Sequence, residues 1–72
     1  MRKIFDIEVD CAACAEILEE TVRKQQGVDN ARVNFMAQRM TVDFEESSNS
    51  ALVMKQVIKA CKRAVPDSEI YI

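Results

Sequence analysis

Seventy-two residues, with ten basic and twelve acidic side chains, carry a formal charge of −2, and histidine is absent. A chain of this length makes one domain, residues 1–72, whose modest core leaves little room for a catalytic cleft. The charge balance excludes nucleic acid as the natural partner, since phosphate binding needs a basic excess. No apolar run reaches the ~20 residues of a membrane span, and the N-terminus lacks a signal peptide's apolar region. A cytoplasmic chain with no direct membrane insertion is the expectation.

Residues 3–9, "KIFDIEV", alternate, with Phe5, Ile7 and Val9 on one face and Ile4, Asp6 and Glu8 on the other. That is the pattern of a strand with one buried face. From Ala12 to Gln26 the spacing becomes helical: Ala15, Leu18 and Val22 form a stripe, with Glu16, Glu19, Glu20 and Lys24 mostly off it. Acids in the first half and Arg23 and Lys24 at the end suit the helix dipole, and Gly27 is the expected stop. Ala31, Val33 and Phe35 then alternate with Arg32, Asn34 and Met36 as a second strand. Residues 37–39 make a turn, and Met40, Val42 and Phe44 alternate as a third strand, the hairpin partner of the second.

The loop "ESSNS" supplies helix-capping residues, and a second helix is expected from Ala51 to Arg63. Met54, Val57, Ile58, Cys61 and Val65 lie near one face of it, while Lys55, Lys59, Lys62 and Arg63 lie mainly on the exposed side. Pro66 and Asp67 end the helix, and residues 69–72 form a short last strand. Met36, Met40 and Met54 fall at core spacing and read as packing residues. The order is βαββαβ, and neither helix can bury its stripe except against a sheet. The expected fold is α+β and ferredoxin-like: a four-stranded antiparallel sheet with both helices on one face.

Chemistry concentrates in "DCAACA", residues 10–15, at the junction of the first strand and first helix. Three cysteines, two of them three apart, do not make a disulfide framework. A thiolate is both metal ligand and nucleophile, and the free amides of a helix N-terminus favour it. Cys11 is expected in the loop and Cys14 in the first turn, where both sulfurs can converge on one ion. A thiol–disulfide couple is the competing reading. Against it, the Asp10 carboxylate opposes thiolate formation, whereas beside a cation it becomes a third ligand.

The stretch "DCAACAEILEETVRKQQGVDNARVNF" resembles the heavy-metal-associated domain, which carries a CxxC metal-binding loop on a βαββαβ fold. The spacing of the CxxCA start, the helix glutamate, Val22, "GV", Ala31 and "VNF" matches that family over essentially the whole chain. The resemblance implies a metal-binding domain of a heavy-metal P-type ATPase, or a free-standing metallochaperone. The chain itself would not be an enzyme, and it would be tethered to the membrane if part of a transporter. Its partners would be the metal ion and either other domains of the ATPase or a metallochaperone.

Asp10 directly before the first cysteine looks most like the N-terminal domain of zinc-, cadmium- or lead-transporting pumps. Copper members usually have Gly-Met where Glu8 and Val9 stand here, and Val65 and Pro66 also depart from the copper pattern. Two thiolates alone suit Cu(I); Cys11, Cys14 and Asp10 together make an S2O set that suits Zn(II), Cd(II) or Pb(II). The expected cargo is therefore a divalent ion in an incomplete, exchangeable shell, with Cu(I) the alternative. Cys61 reads first as a small core residue and second as a further sulfur near the site.

Overall fold

The computed structural model describes residues 1–72. Four strands and two helices follow one another as β1 (Arg2–Glu8), α1 (Ala12–Arg23), β2 (Val28–Asn34), β3 (Arg39–Phe44), α2 (Ser50–Ala64) and β4 (Glu69–Tyr71). The sheet runs β2-β3-β1-β4, with every pairing antiparallel. Its two central strands, β3 and β1, pair from Arg2 opposite Asp43 to Asp6 opposite Arg39. This is the ferredoxin-like arrangement expected from the order of elements.

Alternation in the strands and helical spacing in the helices feed one core. Ile7, Val9, Ala31, Met40, Val42 and Phe44 from the sheet meet Ala15, Leu18 and Val22 of α1 and Val53, Met54, Val57 and Cys61 of α2. Phe5 packs edge-on against Phe44, with ring centroids 6.5 Å apart. Asn49 caps α2, its side-chain oxygen accepting the amides of Ala51 and Leu52 at 3.0 and 3.4 Å. No helix is long and apolar enough to cross a membrane.

Three sequence expectations are corrected. Helix α1 stops at Arg23, not Gln26, because the Lys24 amide still bonds Glu20 while the Gln25 amide turns back to Val22. The chain then passes through Gly27 at φ 90°, a backbone setting that side chains rarely adopt. Strand β2 starts at Val28, earlier than its alternation implied, since a bulge between Val28 and Asn30 shifts the register. The extra residue lets Val28 and Ala31, of opposite parity, both face the core. Met36 is 91% exposed in the hairpin turn and packs nothing, whereas Met40 and Met54 are buried.

Candidate metal site

Strand β1 delivers the chain to the top of α1 through Val9, which is buried, and Asp10, which is exposed. Cys11 is the N-cap of α1, with extended backbone (φ −146°, ψ 156°) that aims its sulfur back over the helix start. The Cys14 amide donates to that sulfur at 3.2 Å, the role a serine or aspartate oxygen usually plays at an N-cap. One turn of helix brings the Cys14 sulfur to 2.8 Å from the Cys11 sulfur. The pair therefore shares a hydrogen bond, and Cys11 is exposed while Cys14 is half-buried. No acid occupies the first turn of α1, so nothing within that turn offsets the positive end of its dipole beside the thiols.

The two thiols are electrostatically unequal. Hydrogen bonds from the Cys14 side chain and then its amide hold the Cys11 thiol below its ordinary range, against opposing pushes from burial and, last, from the Asp10 charge. The Cys14 thiol is raised, first by its hydrogen bond to Cys11, then by burial, and then by the negative charges of Cys11, Asp10 and Asp67. One proton shared between two sulfurs produces this asymmetry.

Cys11 and Cys14 are brought together as the sequence implies. Asp10 lies next to them in the chain and acts on both through its charge, but no three Cys, Asp or Glu side chains gather into a group that could hold a metal ion. Cys61 is 1% exposed on the inner face of α2. Burial pushes its thiol up to about 11, which marks it as a neutral core residue.

Two residues near the site escaped the sequence reading. Asp67, in the loop after α2, is close enough to raise the Cys14 thiol; its place just past the helix end was the available signal. Gln38, in the β2–β3 turn, accepts the Val9 amide on its side-chain oxygen at 2.8 Å. Nothing in the sequence pattern pointed to it.

A family model for the heavy-metal-associated domain matches residues 4–65. The chain belongs to this family. A copper-exporting P-type ATPase of Bacillus subtilis (strain 168) is 40% identical over 55 residues, 75% of this chain. A copper-exporting P-type ATPase of Staphylococcus saprophyticus is 31% identical over 65 residues, 89% of the chain. The aligned regions span 7% and 8% of those proteins, so this heavy-metal-associated domain matches a small part of each.

Among solved structures, the N-terminal domain of a potential copper-translocating P-type ATPase from Bacillus subtilis, in its Cu(I)-loaded state, is 30% identical. The match covers 99% of this chain and 84% of that one, with a TM-score of 0.72. A CopZ metallochaperone shares the fold with a TM-score of 0.77 at 19% identity, over 99% of this chain and 100% of that one. Both ATPase relatives are named for copper export, and neither for the zinc, cadmium or lead transport that Asp10 led the sequence reading to expect.

Proposed function

We propose that this heavy-metal-associated domain carries one Cu(I) ion between the thiolates of Cys11 and Cys14, for a copper-exporting P-type ATPase. The observation that carries this reading is a pair of accessible sulfurs 2.8 Å apart at a helix N-terminus, with no third donor gathered beside them. Cu(I) is a soft ion that thiolates select. Two thiolates around a monovalent cation leave one net negative charge, which the dipole of α1 stabilises. The shell stays open, so a thiolate from a partner can enter before either original bond breaks. That is the property a delivery or regulatory site needs.

Loading requires movement. Metal–sulfur bonds of about 2.3 Å cannot span two sulfurs at 2.8 Å without an acute angle at the metal, so the pair must spread by about 1 Å or more. Cys11 lies outside the helix proper and is followed by Ala12 and Ala13, both exposed, so it is the residue free to move. The same chemistry serves a domain of the pump or a free-standing chaperone in the cytoplasm. The exposed Lys55, Lys59, Lys62 and Arg63 on α2 offer docking charge in either case.

Zn(II), Cd(II) or Pb(II) held by Cys11, Cys14 and Asp10 is the second reading. It is favoured by the Asp10 carboxylate standing one residue from the pair and acting on both thiols. Competition against bicinchoninate for Cu(I), and thiolate charge-transfer absorbance for Cd(II), separate the two. The copper reading expects one Cu(I) per chain, lost in Cys11→Ser and unchanged in Asp10→Ala. Tight Cd(II) binding that collapses in Asp10→Ala would favour the divalent reading. A reduced protein that binds neither ion but cycles a Cys11–Cys14 disulfide would overturn both in favour of thiol exchange.

A further inference from the structure

We infer that Gln38, in the turn on the far side of β1, is a positioning residue for the metal loop. This rests on the assignment of Cys11 and Cys14 as the site. The β1–β3 ladder has its last residue pair at Asp6 opposite Arg39. Continued in register, Ile7 would face Gln38 and Val9 would face Met36. The hairpin turns away over residues 35–38, however, and Met36 is 91% exposed at its tip. Strand β1 would therefore lose its neighbour on that side from Ile7, four residues before Cys11.

Gln38 replaces the missing rung. Its backbone stands at φ 54°, in the left-handed region that a residue other than glycine enters only at a cost. That setting leaves its carbonyl accepting the Ile7 amide at 3.0 Å, one more step of the ladder. The side chain then folds back along the strand, and Oε1 accepts the Val9 amide at 2.8 Å. Nε2 donates to the Phe35 carbonyl at 2.8 Å, which fixes the amide's orientation.

One residue thus bonds the Ile7 amide near the end of β1 and the Val9 amide just after it, both beyond the end of the ladder. It holds Val9, 6% exposed, as a fixed post from which Asp10 and Cys11 spring. Gln38 makes four hydrogen bonds: its own amide (3.3 Å) and Nε2 both donate to the Phe35 carbonyl and close the turn, while its two oxygens hold the Ile7 and Val9 amides. A turn residue needed only to reverse the hairpin would require none of the contacts to Ile7 and Val9.

The test compares Gln38→Met, which keeps length and removes both side-chain hydrogen bonds, with Gln38→Glu, which keeps an acceptor for Val9. Three readouts are taken: thermal midpoint, amide hydrogen exchange at Val9 and Cys14 in the metal-free protein, and Cu(I) affinity by bicinchoninate competition. A residue that orients ligands from outside the shell typically changes metal affinity by about tenfold or more. Gln38→Met is expected to speed exchange at both amides and to weaken Cu(I) by about tenfold, while Gln38→Glu stays within about twofold of the parent. Loosening in Gln38→Met confined to the turn, with Cys14 exchange and Cu(I) affinity at parental values, would overturn the inference, and so would equal losses in both variants. A parent that binds no Cu(I) while Gln38→Met still loosens Val9 and Cys14 would leave Gln38 as a loop positioner and remove the copper assignment instead.

Discussion

The Cys11 sulfur takes the place of a capping oxygen, and this decides how the pair titrates. Because hydrogen bonds from Cys14 stabilise the Cys11 thiolate, Cys11 ionises first, below the ordinary thiol range, and Cys14 last, above it. Iodoacetamide attacks only thiolates. Limited alkylation of the reduced metal-free protein near neutral pH should therefore label Cys11 before Cys14, with Cys61 unlabelled until the chain unfolds. Peptide mass mapping reads the order, and equal labelling of Cys11 and Cys14 would show that the shared proton is not held as described. Metal binding must displace the proton that Cys14 retains, so apparent affinity should fall as pH drops through neutrality.

Cys61 makes the opposite case at the same scale. Its folded thiol is raised to about 11 from 9.0, so folding favours the neutral form. Its contribution is intact below 9.0 and is lost as pH rises toward 11, because only the unfolded chain ionises readily in that window. Cys61→Ala should cost about 1–2 kcal/mol at neutral pH through lost packing. It should leave one Cu(I) per chain, and the gap to the parent should narrow between about pH 9 and 11. Urea titrations across that range measure the gap. A lost Cu(I) site in Cys61→Ala would instead return Cys61 to the ligand set.

At the scale of elements, the far end of α1 depends on Gly27. A Cβ there would meet Val53 Cγ2 at 2.7 Å and Ser48 Oγ at 3.0 Å, on a backbone at φ 90°. Left-handed strain of about 1–2 kcal/mol and overpacking of about 1–3 kcal/mol add, so Gly27→Ala should lose about 2–5 kcal/mol. Helix α1 has 12 residues, which puts this defect about 18 Å from the thiols. Thermal melts should show the loss, while Cu(I) affinity of the folded protein stays at the parental value. A parallel loss of affinity would mean that the two ends of the helix are coupled.

The elements themselves were legible because each strand alternates and each helix carries one apolar stripe, so periodicity marked both type and inner face. The strand-to-helix placement of the CxxC was legible for the same reason. Periodicity could not register devices that break it. The bulge before Asn30 hid the start of β2, the turn geometry of Gln25 shortened α1, and Met36 lies beyond the end of β2 in the exposed turn, where no strand or helix spacing applies. Gln38 was invisible since its role lies in hydrogen bonds to a strand 29 positions away from it, at Val9. Asp10 pointed in sequence to a divalent ion; in the fold it acts on both thiols by charge, and no three Cys, Asp or Glu side chains gather into one group.

For the whole molecule, the cargo and the fold are linked by mass action. A ligand that binds only the folded state at about a thousand times its Kd stabilises by about 4 kcal/mol. In a domain of this size each kcal/mol moves the melting midpoint by about 4–8 °C, so the ceiling is roughly 15–30 °C. The unfolded chain keeps Cys11 and Cys14 only three residues apart, however, and will compete for Cu(I) itself. What the fold adds is the extended Cys11 backbone, the helix N-terminus and the tethered end of β1. Saturating Cu(I) should raise the midpoint by about 10 °C, and Cys11→Ser should abolish the rise. Calorimetry of the metal-free and loaded protein measures it directly. A shift under about 2 °C at full occupancy would mean that folded and unfolded chains bind alike, and that the preorganised loop contributes nothing to holding the ion.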